Sequence, residues 1–222
     1  MNSSSIENYL KAIFSLTEGS DQKEASTSAI ADYLATKSSS VTDMLQKLNK
    51  KGLVNYQKYK GAKLTKKGRE ISLNIVRKHR LWEVFLVDKL GFTWDKIHDI
   101  AEQMEHIQSL ELTDRLDSFL DHPKFDPHGD PIPDKEGNIE HHASAKKLSD
   151  LKMGMAGVVV GVSDSSDEFL RYLEKHQINL GTELKVIERF DFDQSINVAT
   201  SATSSLSLSV QAARNILVEI KK

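Results

Sequence analysis

Residues 38–65, SSSVTDMLQKLNKKGLVNYQKYKGAKLT, decide how the chain is read. Val41, Met44, Leu45 and Leu48 recur at the spacing of one buried helix face. Ser38 or Ser39 is placed to cap that helix, and Gly52 to end it. Leu53 to Tyr59 and then Ala62 to Thr65 read as two short strands, a hairpin turning at Lys60-Gly61. Upstream, Ser26 or Thr27 caps a short helix with Ile30 and Leu34 inward, joined to the next by a tight turn near Thr36-Lys37. Further back, Ile6, Tyr9, Leu10, Ile13 and Phe14 give an amphipathic helix over about 4–18, broken by Gly19-Ser20-Asp21. Two short helices with a tight turn, followed by a basic hairpin, make a winged helix-turn-helix candidate.

The outward face of the third helix offers Lys37, Ser39, Ser40, Thr42, Asp43, Gln46, Lys47 and Lys50. Short hydrogen-bonding groups near the start of such a helix suit base edges in a major groove. The hairpin tip carries Lys58, Tyr59, Lys60 and Lys63, placed to meet phosphates. The bland alternative is a helical bundle with a solvated lysine face, and some winged helices bind proteins instead. Charge placement favours a polyanion. Residues 1–80 hold 15 Lys/Arg against 7 Asp/Glu, a net of +8, whereas residues 81–149 hold 7 against 15, a net of −8. Residues 150–222 hold 8 against 10, a net of −2.

Composition narrows the classes further. An apolar content of 39% supports a packed core, and 28% charged residues fits a soluble globular chain. No apolar run approaches the ~20 residues of a membrane span. Met1 to Ser5 lacks a basic region followed by an apolar stretch, so no signal peptide is expected and the reading is cytoplasmic. The absence of cysteine excludes disulfides, thiolate zinc sites and cysteine nucleophiles. No phosphate-binding glycine loop and no nucleophile elbow is present, so no small-molecule substrate and no enzyme activity are expected.

The acidic middle carries a second pattern. Thr65 caps a long helix through about Lys89, Thr93 another to about Leu110, and Thr113 a third with Leu116, Phe119 and Leu120 inward. On the Thr93 helix, Glu102, Glu105 and His106 fall at offsets of 0, +3 and +4, one face, with His98 a turn earlier. His79 and Glu83 repeat an i, i+4 pair on the preceding helix. Carboxylates and imidazoles without sulfur suit Mn(II), Fe(II) or Zn(II). Such pairs also occur on exposed helices that bind nothing.

All four prolines lie between Pro123 and Pro133, an ordered loop followed by a polar linker to about Asp150. Asp126, His128, Asp130 and Asp134 hint at a calcium loop, but the intervening prolines and the missing turn glycine reject it. His122 and His128 read as loop residues, and Met153 and Met155 as packing residues. Val158 to Val160, Glu183 to Ile187 and Ile216 to Ile220 are strand-like, with a helix from about Phe169 to Lys175, which makes a small β-barrel-like domain.

At these residues the chain resembles the diphtheria toxin repressor family of metal-dependent transcriptional regulators, in its long form. The match is carried by Glu7 to Ile13, Ser38 to Thr42 with Leu48 and Gly52-Leu53-Val54, and Leu64-Thr65 with Gly68. It continues through Arg77 to Glu83, Val87 to Gly91, His98, Glu102-x-x-Glu105-His106 and Pro127 to Pro133. The resemblance implies a mainly α fold with a small β domain. Residues 1–73 would be a winged helix-turn-helix DNA-binding domain, 74–142 a helical metal-binding and dimerisation domain, and 150–222 an SH3-like β-barrel. It implies a regulatory metal site of Asn8, Glu102, Glu105 and His106. An ancillary site would use His79, Glu83 and His98, with Asp164 and Glu168 lent by the SH3-like domain. The iron-sensing branch has sulfur ligands at the positions of Asn8 and Glu102. Oxygen donors there favour Mn(II), with Fe(II) as the alternative and Zn(II) able to bind in vitro. The manganese branch has Asp at the first position and Glu three residues on, where this chain has Asn8 and Lys11. The implied partners are a second copy of the chain and a double-stranded palindromic operator of metal-uptake genes, with no membrane. Other readings are a metal-binding hydrolase, a storage protein and a metal-independent winged-helix regulator.

Overall fold

The computed structural model describes residues 3–18, 23–142, 144–201 and 203–220; the expected break at Gly19-Ser20-Asp21 lies outside the described residues. The chain divides into two units: Met1–His79, Gln103–Asp114 and Pro133–Asn138 form one, and Arg80–Glu102, Arg115–Ile132 and Ile139–Lys222 the other.

The first unit opens with helices α1 (Ser4–Thr17), α2 (Thr27–Tyr33) and α3 (Ser38–Lys50). Ser26 caps α2, its hydroxyl accepting from the Ala29 N–H at 3.1 Å. Leu10, Ile13, Ile30, Val41, Leu45 and Leu48 are fully buried together. Truncating one of these large side chains to alanine costs about 2–5 kcal/mol. The helix α3 starts one residue ahead of the expected serine cap: Lys37 holds the cap position, with no side-chain bond. The serine hydroxyls are thereby left on the outer surface. Gly52, at φ 68°, ends the helix as expected.

Strands β1 (Val54–Gln57) and β2 (Gly61–Leu64) pair antiparallel, Val54 opposite Leu64 and Gln57 opposite Gly61. The turn is Lys58-Tyr59-Lys60, with Tyr59 at φ 70°, and Gly61 belongs to the second strand rather than to the turn. Gly61 is needed for another reason: a Cβ there would stand 2.5 Å from the Ala25 carbonyl oxygen. Ala25 and Ala62 exchange backbone bonds of 2.9 and 2.8 Å, tying the wing to the start of the helix pair. The long helix α4 (Lys66–Asp88) follows, its first turn capped by Thr65 Oγ1, which accepts from the Gly68 N–H at 3.1 Å.

Beyond α4, the expected single helix from Thr93 to Leu110 is not formed. Residues 94–97 make turns, helix α5 is only His98–Met104, and Glu105 and His106 lie in the turn after it. Trp94 is buried in the core of the sheet-rich unit, so the chain bends there instead of winding straight on. Helix α6 (Leu110–Phe119) is capped by Ser109, whose hydroxyl accepts from the Leu112 N–H at 3.2 Å. Thr113 is therefore inside the helix, its hydroxyl donating back to the Ser109 carbonyl. Leu116 and Leu120 are buried as expected, but Phe119 is 63% exposed, lying between Phe85 and Lys89.

The rest of the second unit is a six-stranded antiparallel sheet in the order β3-β8-β4-β5-β6-β7. Its strands are β3 (Lys146–Lys147), β4 (Ala156–Val162), β5 (Glu183–Arg189), β6 (Ile196–Ala199), β7 (Leu206–Leu208) and β8 (Ile216–Ile220). Helices α7 (Asp167–Lys175) and α8 (Val210–Asn215) complete it. Leu148, Leu170, Leu184, Val198 and Val218 fill the core. Leu148 shows that the polar segment ahead of residue 150 contributes to this unit. Met155 packs on the core, whereas Met153 is exposed.

The proline loop is docked on β4. Asp126 Oδ1 accepts from the N–H groups of His128 and Asp130 at 2.8 and 3.0 Å, and the Val162 N–H bonds to the His128 carbonyl at 3.0 Å. Gly129, at φ 87°, passes so close that a Cβ would stand 2.1 Å from the Val160 oxygen.

Candidate metal centre and nucleic-acid interface

The expected reading surface is outward-facing. Lys37, Ser39, Ser40, Asp43, Gln46, Lys47 and Lys50 are exposed, and Thr42 is half-buried with its hydroxyl on the Ser38 carbonyl at 3.0 Å. On the wing, Lys58, Lys60 and Lys63 are exposed, and Tyr59 is 92% exposed with the Lys58 ammonium 5.1 Å from its ring centre. An aromatic ring this bare, among cations, gains nothing from the protein core and suits a partner surface.

In the same unit, α1 faces the turn that carries Glu105 and His106. Glu7 Oε2 lies 2.7 Å from His106 Nδ1, and Glu7 Oε1 accepts from Gln108 Nε2 at 2.9 Å. Lys11 Nζ donates to Glu105 Oε2 at 2.7 Å, and His79 Nδ1 stands 2.6 Å from that same oxygen. Nζ and Nδ1 are 3.1 Å apart, so two donors converge on one acceptor. A neutral His79 donating through Nδ1 keeps its lone pair on Nε2, the tautomer that ligates a metal through Nε2. Burial pushes the Glu105 carboxyl up, but the His79 hydrogen bond and the Lys11 charge outweigh it and hold the group below the usual range. Lys78 is shifted down by burial, against the opposing pull of Glu7 and Glu105.

Asn8 Oδ1, on the α1 turn between Glu7 and Lys11, is buried and has no hydrogen-bond partner among the described residues. A buried amide oxygen left unmatched costs about 1–3 kcal/mol unless something else meets it. The sequence does not announce Glu7 as the partner of His106, nor Lys11 as the partner of Glu105. The i, i+4 spacing of Glu7 and Lys11 puts both on the α1 face that carries Asn8, but their partners lie 99 and 94 residues away.

The second unit gathers Glu83, His98, Glu102, Asp126 and His128. His98 Nδ1 is 3.4 Å from Glu83 Oε1, and His98 Nε2 is 3.8 Å from Glu102 Oε1, with the side chain of Glu102 half-exposed. His128 is buried, a role its place between prolines did not announce. Its Nε2 lies 3.1 Å from the Trp94 carbonyl and its Nδ1 3.8 Å from Glu83 Oε2. Glu83, Asp126 and His128 each bring one potential ligand atom to within 4.8 Å of the others. Burial, then the charges of Glu83 and Asp130, raise the Asp126 carboxyl well above the usual range, against the pull of Arg80. Arg80 sits 3.5 Å from both Asp126 and Asp130 and also donates to the Pro131 carbonyl. Asp164 and Glu168 line a cavity of about 260 Å³ with Tyr172, Gln211 and Asn215; neither Glu83 nor His98 lines it. Asp164 Oδ1 accepts from the Ser166 N–H at 2.9 Å.

Comparison with known proteins gives this arrangement its class. Residues 1–62 match the family model "Iron dependent repressor, N-terminal DNA binding domain", and residues 65–134 match "Iron dependent repressor, metal binding and dimerisation domain". Residues 146–220 match the FeoA domain. The iron-dependent repressor IdeR of Mycobacterium tuberculosis is 33% identical over 191 residues, covering 81% of this chain and 77% of that protein. The regulator MntR of Oceanobacillus iheyensis is 38% identical over 126 residues, covering 57% of this chain and 84% of that one. A solved manganese-dependent transcriptional repressor in complex with manganese superposes with a TM-score of 0.86 at 36% identity, covering 97% of this chain and all of that one. The fold and site thus define a metal-dependent, DNA-binding transcriptional repressor. The chain belongs to the diphtheria toxin repressor family, in the long form that carries an SH3-like FeoA domain. Among the described residues no helix is long and apolar enough to cross a membrane.

Proposed function

We infer that the chain acts as a homodimer that binds palindromic operators of metal-uptake genes when Mn(II), or alternatively Fe(II), fills its regulatory site. The reading takes residues 1–73 as the DNA-binding domain, 74–142 as the metal-binding and dimerisation domain and 150–222 as the SH3-like domain. It makes the protein a cytoplasmic regulator and not an enzyme. The regulatory ligands are Asn8, Glu102, Glu105 and His106; the ancillary ligands are His79, Glu83 and His98, with Asp164 and Glu168 as further donors. Manganese as the ion is supported by the manganese repressors among the solved relatives and by the sulfur-free donor set.

One observation carries the reading. The Asn8 amide oxygen is buried without a hydrogen-bond partner among the described residues, on the same helix turn whose neighbours bond Glu105 and His106. Oxygen and imidazole donors of this kind fit a hard or borderline divalent ion. A bound cation supplies positive charge that draws these donors together. The protein's own residues do the rest. Glu7 orients the His106 ring, and α1 transmits the position of the 105–106 turn to the core shared with α3. In a symmetric dimer, the orientation of α1 then sets the placement of two recognition helices on successive major grooves. A hundredfold preference of the ion for the DNA-competent state is worth about 2.7 kcal/mol. Equilibrium dialysis against Mn(II) tests the assignment. The Glu105→Ala and His106→Ala variants should each retain one ion fewer per chain than the wild type; an unchanged stoichiometry in both variants removes the site.

A further inference from the structure

Lys11 is a buried cation that the function above leaves unused. Its side chain is 9% exposed, that of its partner Glu105 is 1% exposed, and it projects from the helix that carries Asn8. Its ammonium and the His79 imidazole converge on the one oxygen Glu105 Oε2, at 2.7 and 2.6 Å. The negative charge of Glu105 is therefore already compensated from within the chain. A divalent ion that takes Glu105 as a ligand must displace this ammonium or share the carboxylate with it, against like-charge repulsion in a poorly solvated setting. Resting on the reading that Glu105 and His106 hold the metal, we propose that Lys11 is a tethered competitor for the cation, raising the metal concentration at which the site fills.

The arrangement also changes what the metal-free chain is like. Mutual repulsion among the carboxylates alone would leave α1 slack, yet α1 is tied to the 105–108 turn by the Lys11–Glu105, Glu7–His106 and Glu7–Gln108 contacts. Metal binding then exchanges one tie for another, and the difference between them sets the threshold. If the pair served the fold alone, removing its cation would leave Glu105 with the His79 contact and lower the melting temperature without improving metal capture.

The two roles separate experimentally. Mn(II) affinity is measured without DNA, by competition against a fluorescent chelator, for the wild type, Lys11→Met, Lys11→Gln and Lys11→Arg, with His106→Ala as the reference for a lost site. Thermal melts in chelator accompany each protein. The two neutral variants should bind Mn(II) at least tenfold more tightly than the wild type while melting lower without metal. Lys11→Arg should stay within threefold of the wild type. Glutamine keeps a hydrogen-bond donor toward Glu105 and carries the comparison if the methionine variant does not fold. Equal or weaker Mn(II) binding by a folded neutral variant overturns the competitor role. A wild type that binds Mn(II) no better than His106→Ala overturns the metal site itself, and this proposal with it.

Discussion

Glu7 Oε2 stands 2.7 Å from Nδ1 of His106, while the other oxygen of the same carboxylate accepts from Gln108. The carboxylate fixes the ring from behind, so the free lone pair of a neutral His106 lies on Nε2. Backing groups of this kind typically contribute 10–100-fold to metal affinity. Glu7→Gln should therefore weaken Mn(II) binding by about that factor, read by isothermal titration calorimetry, with little change in secondary structure. Wild-type affinity in this variant would remove Glu7 from the account.

His106→Ala should abolish metal-stimulated DNA binding and leave the protein dimeric. The ring is 21% exposed and belongs to neither hydrophobic core. Light scattering checks assembly and a gel shift with Mn(II) checks binding. Full stimulation by metal in this variant would contradict the site.

Lys47 and Lys58 are solvated cations on the recognition helix and the wing. If each meets one phosphate, Lys47→Ala and Lys58→Ala should each lower the slope of log affinity against log salt by about 0.9. The effect should be similar across DNA sequences, because phosphate contacts position the protein without reading bases. An unchanged slope would place these lysines off the DNA.

Gly129→Ala should loosen the proline loop from β4. The position combines a φ of 87° with a Cβ clash of 2.1 Å against backbone, so neither rotamer change nor side-chain movement relieves it. Backbone strain alone is worth about 1–3 kcal/mol, visible as a lower melting temperature. A wild-type melt would mean that the loop can lift away freely.

The winged unit was legible in the sequence because its signals are local. The stripe of Val41, Leu45 and Leu48, the cap at Ser26 and the stop at Gly52 each act within a few residues. The serine cap on α3 and the turn at Lys60-Gly61 were misplaced by one or two positions, since competing neighbours offer nearly the same chemistry. The middle of the chain misled for a tertiary reason. The burial of Trp94 delays the helix to His98, and the helix stops at Met104, so Glu105 and His106 reach their places from a turn rather than from one helix face. The partners Glu7 and Lys11 were hidden because their counterparts lie 99 and 94 residues away. Buried His128 was hidden likewise, its setting made by Trp94 and Glu83.

The central claim is that metal at the Glu105–His106 turn switches DNA binding on. Fluorescence anisotropy of a labelled duplex, selected from random DNA in the presence of Mn(II), measures this directly. The account predicts tight binding with Mn(II), a loss of a hundredfold or more on adding chelator, and no metal response in His106→Ala. Equal affinity in Mn(II) and in chelator would contradict it.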